Sequence, residues 1–266
     1  MRQITFDELK AAQLEILDYV AEFCTENGLT YALAGGTLIG AIRHKGYIPW
    51  DDDIDIVMPR KDYDKFAETF NLQNSRYKFV SFENTPSMGW ALSSHVMNVE
   101  SKLRAAHIDI FPIDNAPDDD RTLKMMLMLQ TFLIGMQFSK VQKVFQKPHG
   151  GLLRRLKVYC IRIIANMLLV KLWPSHVIPA LCIKNAKRFI NQPTKRVSVF
   201  LTTTPPKVIE REKLETVIDA EFEDRTYKIP VGYDEWLTKV YGDYMTPPPE
   251  DQRIPTHDGL FLADDD

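Results

Sequence analysis

Four carboxylates lie within five residues in the stretch DDDID, from Asp51 to Asp55. Carboxylates packed this closely repel one another and resist burial unless a cation lies between them. Mg²⁺ and Mn²⁺ are hard ions that bind oxygen ligands, and Mg²⁺ usually completes its coordination with water and substrate phosphate. The cluster therefore indicates a divalent cation site that acts on a phosphorylated substrate.

The spacing of these acids suggests which of them bind the cation. If residues 51–56 form a strand, alternation places Asp51, Asp53 and Asp55 on one face and Asp52 on the other. Asp53 and Asp55 are flanked by β-forming residues, so we expect them to be the ligands. Asp51, at the edge of the loop, would lie just behind them, and we assign Asp52 to the substrate side.

Two other interpretations of the cluster are weaker. An EF-hand loop beginning at Asp51 needs Gly at its sixth position and Glu at its twelfth, and Ile56 and Asp62 stand there instead. A solvated acidic turn before the helix that follows Pro59 would account for the charge. The neighbouring Trp50 argues against full exposure of such a turn.

A second acidic stretch, HIDIFPID, sets Asp109 between Ile108 and Ile110. A carboxylate on a buried strand is costly without a partner, so Asp109 is expected as a third metal ligand. We expect Asp114, farther along, to cap the next turn together with Asn115.

A glycine pair, Gly35 and Gly36, lies where a short strand meets a helix expected to begin at Thr37. The bare backbone N–H groups at this helix N-terminus, together with Thr37, suit a phosphate group of the substrate, although glycine pairs are also common in ordinary turns. The cationic run that follows contains three further candidate donors, Arg43, His44 and Lys45, each of which could equally be solvated. Arg43 is the first choice, because its planar fork matches phosphate oxygens.

The elements that must position these residues are mixed helices and strands. A capping box formed by Thr5 and Glu8 predicts a first helix that ends near Gly28. A strand stopped by Pro59 and then a helix follow the acidic cluster. Further strands are predicted at KFVSFEN, SHVMNVES, HIDIFPIDN and VSVFLTTT, and a short late helix is predicted at YDEWLTKVYGDYM.

The middle of the chain differs in charge from the rest. Residues 121–209 contain sixteen Lys and Arg and no Asp or Glu, in a chain with a net charge of −3. Three helices are expected there, and none is apolar enough to span a membrane. They form either a helical subdomain packed on itself or an interfacial surface facing anionic lipid or a phosphate-rich polymer.

The bulk properties fit a folded protein of a reducing compartment. The 266 residues are 45% hydrophobic and 26% charged, which excludes extensive disorder. Three widely spaced cysteines and the lack of a Cys-x-x-Cys pair argue against disulfides and against a zinc site. The first residues show no secretory pattern, so a cytoplasmic location is expected.

The stretch GGTLIGAIRHKGYIPWDDDIDIVMPRKDYDKF, residues 35–66, resembles the signature of the LicD family, which also includes fukutin-related proteins. IDIFPIDNAP and YGDYMTPPPEDQR resemble later blocks of that family. The resemblance implies an α/β (α+β) fold with a nucleotidyltransferase-like mixed sheet. We divide the chain into a catalytic core over 1–117, a basic helical insertion over 118–196, and a return to the core over 197–266.

The resemblance also implies an activity, metal-dependent transfer of phosphocholine from CDP-choline to a cell-surface glycan or teichoic-acid precursor, with release of CMP. Asp53, Asp55 and Asp109 would hold Mg²⁺ or Mn²⁺, and the glycine pair would lie beside the phosphates. The alternatives are transfer of another phosphoalcohol such as pentitol phosphate, or a non-catalytic glycan-binding protein. The protein would work peripherally at the inner face of the plasma membrane, with no nucleic-acid partner.

A choline donor requires an aromatic site for its trimethylammonium group. Trp50, Tyr47, Trp90 and Trp236 are candidates, although at least two of them are expected to pack in the core. His257 follows a proline-stiffened segment and either reaches the site or is an ordinary surface histidine.

Overall fold

The structure is a computed structural model, and it describes residues 2–3, 5–73, 76–85, 92–101, 103, 106–141, 156, 158–161, 163–164, 172–202, 206–253 and 262–263. Two expected site residues, Trp90 and His257, lie outside these described residues. The two main building blocks are a mixed sheet and a set of helices that pack against it.

Seven of the described strands form the main sheet, and its central strand pairs with three others. In sheet order, the first five are β2 (Ala32–Leu33), β3 (Asp55–Pro59), β6 (His107–Ala116), β5 (Ser94–Asn98) and β4 (Tyr77–Val80). The later part of β6 pairs with β7 (Arg196–Val199), which pairs in turn with β8 (Ile209–Glu210). Only the β3–β6 pair is parallel among these described strands, and the other pairs are antiparallel. The sheet is therefore mixed, as expected for an α+β fold.

The remaining described elements are helices and two smaller strand pairs. The helices are α1 (Phe6–Glu26), α2 (Gly35–Arg43), α3 (Arg60–Gln73), α4 (Asp120–Val141), α5 (Val177–Ala186), α6 (Arg211–Glu215) and α7 (Tyr233–Tyr241). Two smaller antiparallel pairs join β1 (Arg2–Gln3) to β11 (Leu262–Ala263) and β9 (Val217–Phe222) to β10 (Arg225–Pro230). Short 3₁₀ turns cover Lys187–Phe189 and Glu250–Gln252.

Most predicted elements are confirmed. The capping box at the start of α1 is present, with the Glu8 N–H donating to Thr5 Oγ1 at 3.2 Å and the Thr5 N–H donating to Glu8 Oε2 at 2.8 Å. All four strands predicted after the acidic cluster occur. The late helix ends at Tyr241, immediately before Gly242, whose φ of 77° suits glycine.

Two predicted starts are wrong. The strand after the acidic cluster begins at Asp55 and not at residue 51, because a turn precedes it, in which the Asp51 N–H donates to the Ile48 carbonyl at 2.9 Å. Helix α2 begins at Gly35 and not at Thr37. The Thr37 hydroxyl does not cap the helix, since it accepts the Asp55 N–H at 2.9 Å and ties α2 to the start of β3.

The larger of two hydrophobic clusters packs α1 and α3 against the sheet. Phe66 is fully buried between Phe23 and Phe70, with ring centroids 5.4 Å and 4.5 Å away. Ile108 and Ile110 are fully buried as well, while Asp109 between them is partly exposed. Burial of each such side chain contributes about 1.5–3 kcal/mol, so this core fixes the strands that present the acids.

A second cluster joins α4, α5 and the segment after β7. The buried Asn185 side chain of α5 donates to the Met126 carbonyl at 3.2 Å and to Gln130 Oε1 at 2.9 Å. The Gln130 amide in turn donates to the Phe200 carbonyl at 3.0 Å. The described residues at 156, 158–161 and 163–164 are helical, in line with the helix predicted there. Among the described residues, we find no helix with the length and hydrophobicity needed to cross a bilayer.

Candidate metal and substrate site

The strand register brings Asp55 and Asp109 together. The two residues are direct partners in the parallel pairing of β3 with β6. The Asp109 N–H donates to the Ile54 carbonyl at 2.8 Å, which fixes the two strands at this point. Directly opposed residues project from the same face of a sheet, so the two carboxylates lie side by side.

The three acids before β3 form a compact group in the loop. Asp51, Asp52 and Asp53 each offer a carboxylate oxygen, and these oxygens lie within 4.8 Å of one another. The predicted separation of Asp52 from the other acids is wrong, because strand alternation does not apply before Asp55. Asp52 is nevertheless buried, and its carbonyl accepts a hydrogen bond from Gln13 Nε2 at 2.9 Å.

The glycine pair makes room for this group at the N-terminus of α2. A Cβ atom on Gly35 would lie 2.1 Å from Asp55 Oδ2, and a Cβ atom on Gly36 would lie 2.1 Å from Asp51 Oδ2. Gly35 also adopts φ 54°, in the left-handed region. Any side chain at either position would displace a carboxylate, so the pair is required for the loop and the helix to meet.

The electrostatics of the acids show mutual repulsion. Partial burial and the neighbouring carboxylates, Asp53 first among them, raise the pKa of Asp51 to about 7. Burial, followed by the charges of Asp53 and Asp109, raises the pKa of Asp55 well above its ordinary value. Without a cation, Asp51 and Asp55 hold protons at a pH where isolated aspartates would be ionised.

This donor set fits a hard divalent cation. The side chains of Asp51, Asp53, Asp55 and Asp109 would offer carboxylate oxygens, which Mg²⁺ and Mn²⁺ prefer. The cluster is partly open to solvent, so a substrate phosphate has access to it. The repulsion described above would be relieved by a bound cation, as expected for a metal site.

Arg43 and Trp50 contact residues near the C-terminal end of the chain, Tyr244 and Arg253. Arg43 Nε donates to His44 Nε2 at 2.9 Å, and Arg43 Nη1 donates to the Tyr244 carbonyl at 2.6 Å. The guanidinium of Arg253 lies over the Trp50 ring, 5.2 Å from its centroid. Burial lowers the pKa of Arg43, and the charge of Arg253 lowers it further, so two guanidinium groups face the same region.

His44 and Lys45 differ in their surroundings. The His44 ring meets Trp50 edge to face at 6.4 Å, and burial followed by the charge of Arg43 lowers its pKa. Lys45 adopts φ 59°, and its carbonyl accepts the Glu223 N–H at 2.7 Å, which fastens the loop to the β9–β10 turn.

Two of the aromatic candidates for a choline site are core residues. Trp236 and Tyr47 are both buried in the main cluster. The Tyr47 ring packs on Phe222 and has the Lys10 ammonium 4.7 Å from its centroid. Trp50 is the candidate that borders the acidic group, and its ring already faces a cation.

Sequence reasoning missed three residues of this region. His95, on β5, is the direct partner of Asp109 and hydrogen-bonds to it, and His107 Nε2 lies 3.7 Å from Asp109 Oδ1. Desolvation of its hydroxyl raises the pKa of Tyr241 in α7, and the nearby carboxylates, Asp55 foremost, raise it further. Alternation along HIDI predicts that His107 and Asp109 lie on the same face of the strand. The positions of His95 and Tyr241 depend on contacts between residues far apart in the sequence.

The prediction for Asp114 is wrong. This carboxylate does not cap a turn; it is buried and accepts two hydrogen bonds from Arg60, from Nε at 2.7 Å and from Nη2 at 2.9 Å. The side chain of Asn115 instead donates to the carbonyls of Phe189 and Gln192. The bidentate pair explains how a charged residue can be buried on β6.

Comparisons with known proteins agree with these observations. A family model described as "LicD/FKTN/FKRP, nucleotidyltransferase domain" matches residues 28–145. The chain is 31% identical over 272 residues to "Lipopolysaccharide cholinephosphotransferase LicD" of Haemophilus influenzae, an alignment that covers 97% of each chain. Shorter matches link it to uncharacterized proteins of Rickettsia typhi, 36% identical over 69 residues (26% of this chain and 22% of the other), and of Rickettsia prowazekii, 49% identical over 41 residues (15% of each).

Proposed function

The chain belongs to the LicD family, and on that premise we propose that it transfers phosphocholine from CDP-choline to a hydroxyl group of lipopolysaccharide or a related surface glycan, releasing CMP. The observation that best supports this proposal is the meeting of loop and strand carboxylates against Gly35 and Gly36. The relative from Haemophilus influenzae, named as a lipopolysaccharide cholinephosphotransferase, resembles the chain over 97% of its length.

In the proposed reaction, the acceptor hydroxyl attacks the phosphorus that bears choline. The bond from that phosphorus to the CMP oxygen breaks, and CMP leaves with the electron pair. Asp53, Asp55 and Asp109 would hold Mg²⁺ or Mn²⁺, with Asp51 beside them. When bound, the cation would neutralise negative charge on the diphosphate.

The protein's own groups would orient the donor. The first N–H groups of α2 have no partners within the helix, and the positive end of its dipole suits phosphate oxygens. The charge of Arg253 adds to the lowering of the Arg43 pKa, so a diphosphate between the two guanidinium groups would relieve their repulsion. We assign the proton of the acceptor hydroxyl to Asp109 or a neighbouring acid.

Choline is favoured over a pentitol because of Trp50. A quaternary ammonium group binds well over the face of a tryptophan ring, whereas a neutral polyol gains little there. The Arg253 guanidinium lies over this ring at 5.2 Å, so the surroundings of Trp50 already accommodate a cation. Bound choline would take the place of Arg253 on the ring and free its guanidinium for the phosphates.

A panel of CDP-alcohols tests the reaction and the donor together. The protein is incubated with Mg²⁺, a lipopolysaccharide acceptor and CDP-choline, CDP-ethanolamine or a CDP-pentitol, and CMP release is followed. We expect release with CDP-choline and loss of release with a chelator. Preference for the CDP-pentitol would favour the alternative transfer, and no release from any donor would favour a binding protein.

We propose further that the outer face of α4 holds the protein at an anionic membrane surface. Met125, Met128 and Leu129 are exposed at helical spacing, with the Met128 side chain 64% exposed. Lys124 and Arg121 are exposed on the same side of the helix, opposite its buried stripe. An exposed face that combines apolar and cationic side chains matches an interfacial helix.

Several basic residues of this region are engaged elsewhere, which narrows the proposed surface. Lys187 pairs with Glu83 at 2.9 Å, and Arg196 pairs with Asp120 at 2.7 Å. Acids outside residues 121–209 thus neutralise part of the positive charge that stands out in the sequence. The membrane proposal therefore rests on α4 and not on the entire basic segment.

Vesicle flotation tests the membrane proposal. We expect the protein to float with vesicles containing phosphatidylglycerol, and high salt or Met128→Glu to weaken flotation. Leu72→Glu is the matched control, because Leu72 is an apolar residue that is 84% exposed on a different helix, near the end of α3. Absence of flotation, or equal weakening by both substitutions, would remove the membrane role and leave the transfer reaction untouched.

A further inference from the structure

Two histidines, His95 and His107, lie near Asp109 on the same face of the main sheet. His95 and Asp109 are direct partners in the antiparallel pairing of β5 with β6. His107 precedes Asp109 by two residues on β6, so its side chain projects from the same face. The register therefore produces a row of side chains in which Asp55 flanks Asp109 on one side and His95 flanks it on the other.

The ligand atoms of this group are close and accessible. One ligand atom each from His95, His107 and Asp109 lies within 4.8 Å of the other two. His95 Nδ1 contacts Asp109 Oδ1, and His107 Nε2 lies 3.7 Å from the same oxygen. The imidazole rings stand nearly perpendicular, at 89°, with centroids 5.0 Å apart. The exposed fractions of the three side chains are 11%, 37% and 20%, so an ion can enter from solvent.

We propose that His95, His107 and Asp109 form a second divalent cation site, distinct in metal preference from the aspartate site. Metal–nitrogen and metal–oxygen bonds of about 2.0–2.2 Å place ligand atoms about 3–3.5 Å apart. His107 Nε2, at 3.7 Å from Asp109 Oδ1, is close to that separation, whereas His95 Nδ1 would move away from the oxygen to which it now hydrogen-bonds. Small side-chain rotations would complete the set. Water or a substrate oxygen would fill the remaining positions.

The choice of metal follows from the ligands. Two imidazole nitrogens and one carboxylate suit Zn²⁺, Fe²⁺ or Mn²⁺, whereas Mg²⁺ prefers oxygen ligands throughout. The lack of a Cys-x-x-Cys pair argues only against a site with cysteine ligands. It does not argue against a site with imidazole ligands. The all-carboxylate group at Asp53 and Asp55 would keep its preference for Mg²⁺ or Mn²⁺.

Asp109 links the two sites. Its Oδ1 atom faces the histidines, and the register sets its other neighbour, Asp55, on the opposite side. A carboxylate shared in this way would make occupancy of one site sensitive to the other. Metal binding by the histidines itself does not depend on the proposed transfer reaction, since the three ligands stand on two strands of the core.

Histidine-labelled NMR tests the proposal. The chain contains six histidines, so a nitrogen-labelled histidine sample gives a small set of side-chain signals. One equivalent of Zn²⁺ is expected to shift the ring-nitrogen signals of His95 and His107 and to leave His176, an exposed histidine before α5, unchanged. His95→Asn and His107→Asn assign the signals, and each should weaken Zn²⁺ binding by at least about tenfold.

Two further samples separate this site from the aspartate site. Asp53→Asn should retain the Zn²⁺ shifts of His95 and His107, because it removes no ligand of the proposed set. His176→Asn should bind Zn²⁺ as the wild type does. The proposal is overturned if stoichiometric Zn²⁺ leaves His95 and His107 unshifted, or if Asp53→Asn abolishes their shifts. A calorimetric titration with Zn²⁺ provides the affinities, and circular dichroism verifies that each variant is folded.

Discussion

Asp109 and Asp114 lie five residues apart on the same strand, β6, but the surroundings of their carboxylates differ. Asp114 is 1% exposed and receives two hydrogen bonds from Arg60. Asp109 is partly open to solvent and stands beside Asp55, whose carboxylate has its pKa raised by burial and by nearby acids. A buried guanidinium neutralises Asp114, whereas Asp109 lies between an acid, Asp55, and an imidazole, His95.

The difference teaches which charges serve the fold and which serve the site. Removing one partner of a buried ion pair is strongly destabilising, so the Arg60–Asp114 pair is a structural requirement of the sheet. A group of acids that raise one another's pKa costs stability, and such groups cluster at functional sites. Substitutions in the two regions should therefore affect different measurements.

The largest expected effect is on activity, and it concerns the solvent-accessible acids beside Asp109. Asp55→Asn should reduce CMP release from CDP-choline on the order of a thousandfold, since loss of a metal ligand removes several kcal/mol of transition-state stabilisation. The same substitution removes one charge from a repelling group, so the metal-free variant should be at least as stable as the wild type. Steady-state kinetics and urea denaturation test the two halves. A variant that is inactive because it is unfolded would break the comparison.

The next effect concerns the buried pair. Asp114→Asn removes the buried counter-charge of the Arg60 guanidinium and leaves it only the partly exposed Asp64, whose Oδ1 lies 3.2 Å from Nη1, so the free energy of unfolding should fall by about 3 kcal/mol. Asp224→Asn is the control, because Asp224 pairs with Arg225 at 2.6 Å on the surface, where such pairs contribute about 0–1 kcal/mol. Urea denaturation measures both. Equal losses in the two variants would contradict a special role for the buried pair.

The third prediction concerns pH and metal. Because the pKa of Asp51 is about 7 and that of Asp55 is raised, the native state holds more protons than the unfolded state between pH 4 and pH 7. The stability of the metal-free protein should therefore fall as pH rises through this window. At pH 8, Mg²⁺ or Mn²⁺ at about 100 times its dissociation constant should restore about 2.7 kcal/mol.

Thermal denaturation from pH 4 to pH 8, with and without the cation, measures this effect. Asp55→Asn is the matched control. Its stability should fall less as pH rises, and the cation should stabilise it less than it stabilises the wild type. If the stability of the metal-free wild type rises with pH over this window, the dependence has the opposite sign to the prediction. That result would contradict repulsion between the acids.

The smallest expected effect is on donor binding. Trp50→Leu removes the ring face proposed for choline, and the KM for CDP-choline should rise about tenfold, as a cation–π contribution near 1.4 kcal/mol implies. Trp50→Phe keeps an aromatic face and should recover part of the loss. With a CDP-pentitol as donor, neither substitution should matter to this extent. A KM for CDP-choline that is unchanged in Trp50→Leu would place choline elsewhere.

The sequence predicted the local features of this protein better than the ones that depend on distant contacts. The α1 capping box, the glycine pair and the alternation around Asp109 each lie within a few residues, and periodicity and turn chemistry are sufficient to predict them. The role of Asp114 was missed because Arg60 is 54 residues away. His95 was missed because its contact with Asp109 depends on strand register.

The failure at Asp52 has a different physical cause. Alternation was applied to residues 51–56, but a turn closed by the Asp51 N–H and the Ile48 carbonyl delays the strand until Asp55. The hydrogen bond between Thr37 and the Asp55 N–H then sets the start of β3. A short polar run before an apolar strand does not reveal where the ladder begins.

Product analysis of a single incubation is the most direct test of the proposed function. Wild type and Asp53→Asn are incubated with CDP-choline, Mg²⁺ and lipopolysaccharide, and mass spectrometry follows CMP and the modified glycan. We predict that the wild type forms CMP and phosphocholine-bearing glycan in equal amounts, and that Asp53→Asn, though folded, forms neither. Equal amounts of product from the two proteins would contradict the assignment. So would a wild-type reaction that releases CMP but leaves the glycan without phosphocholine.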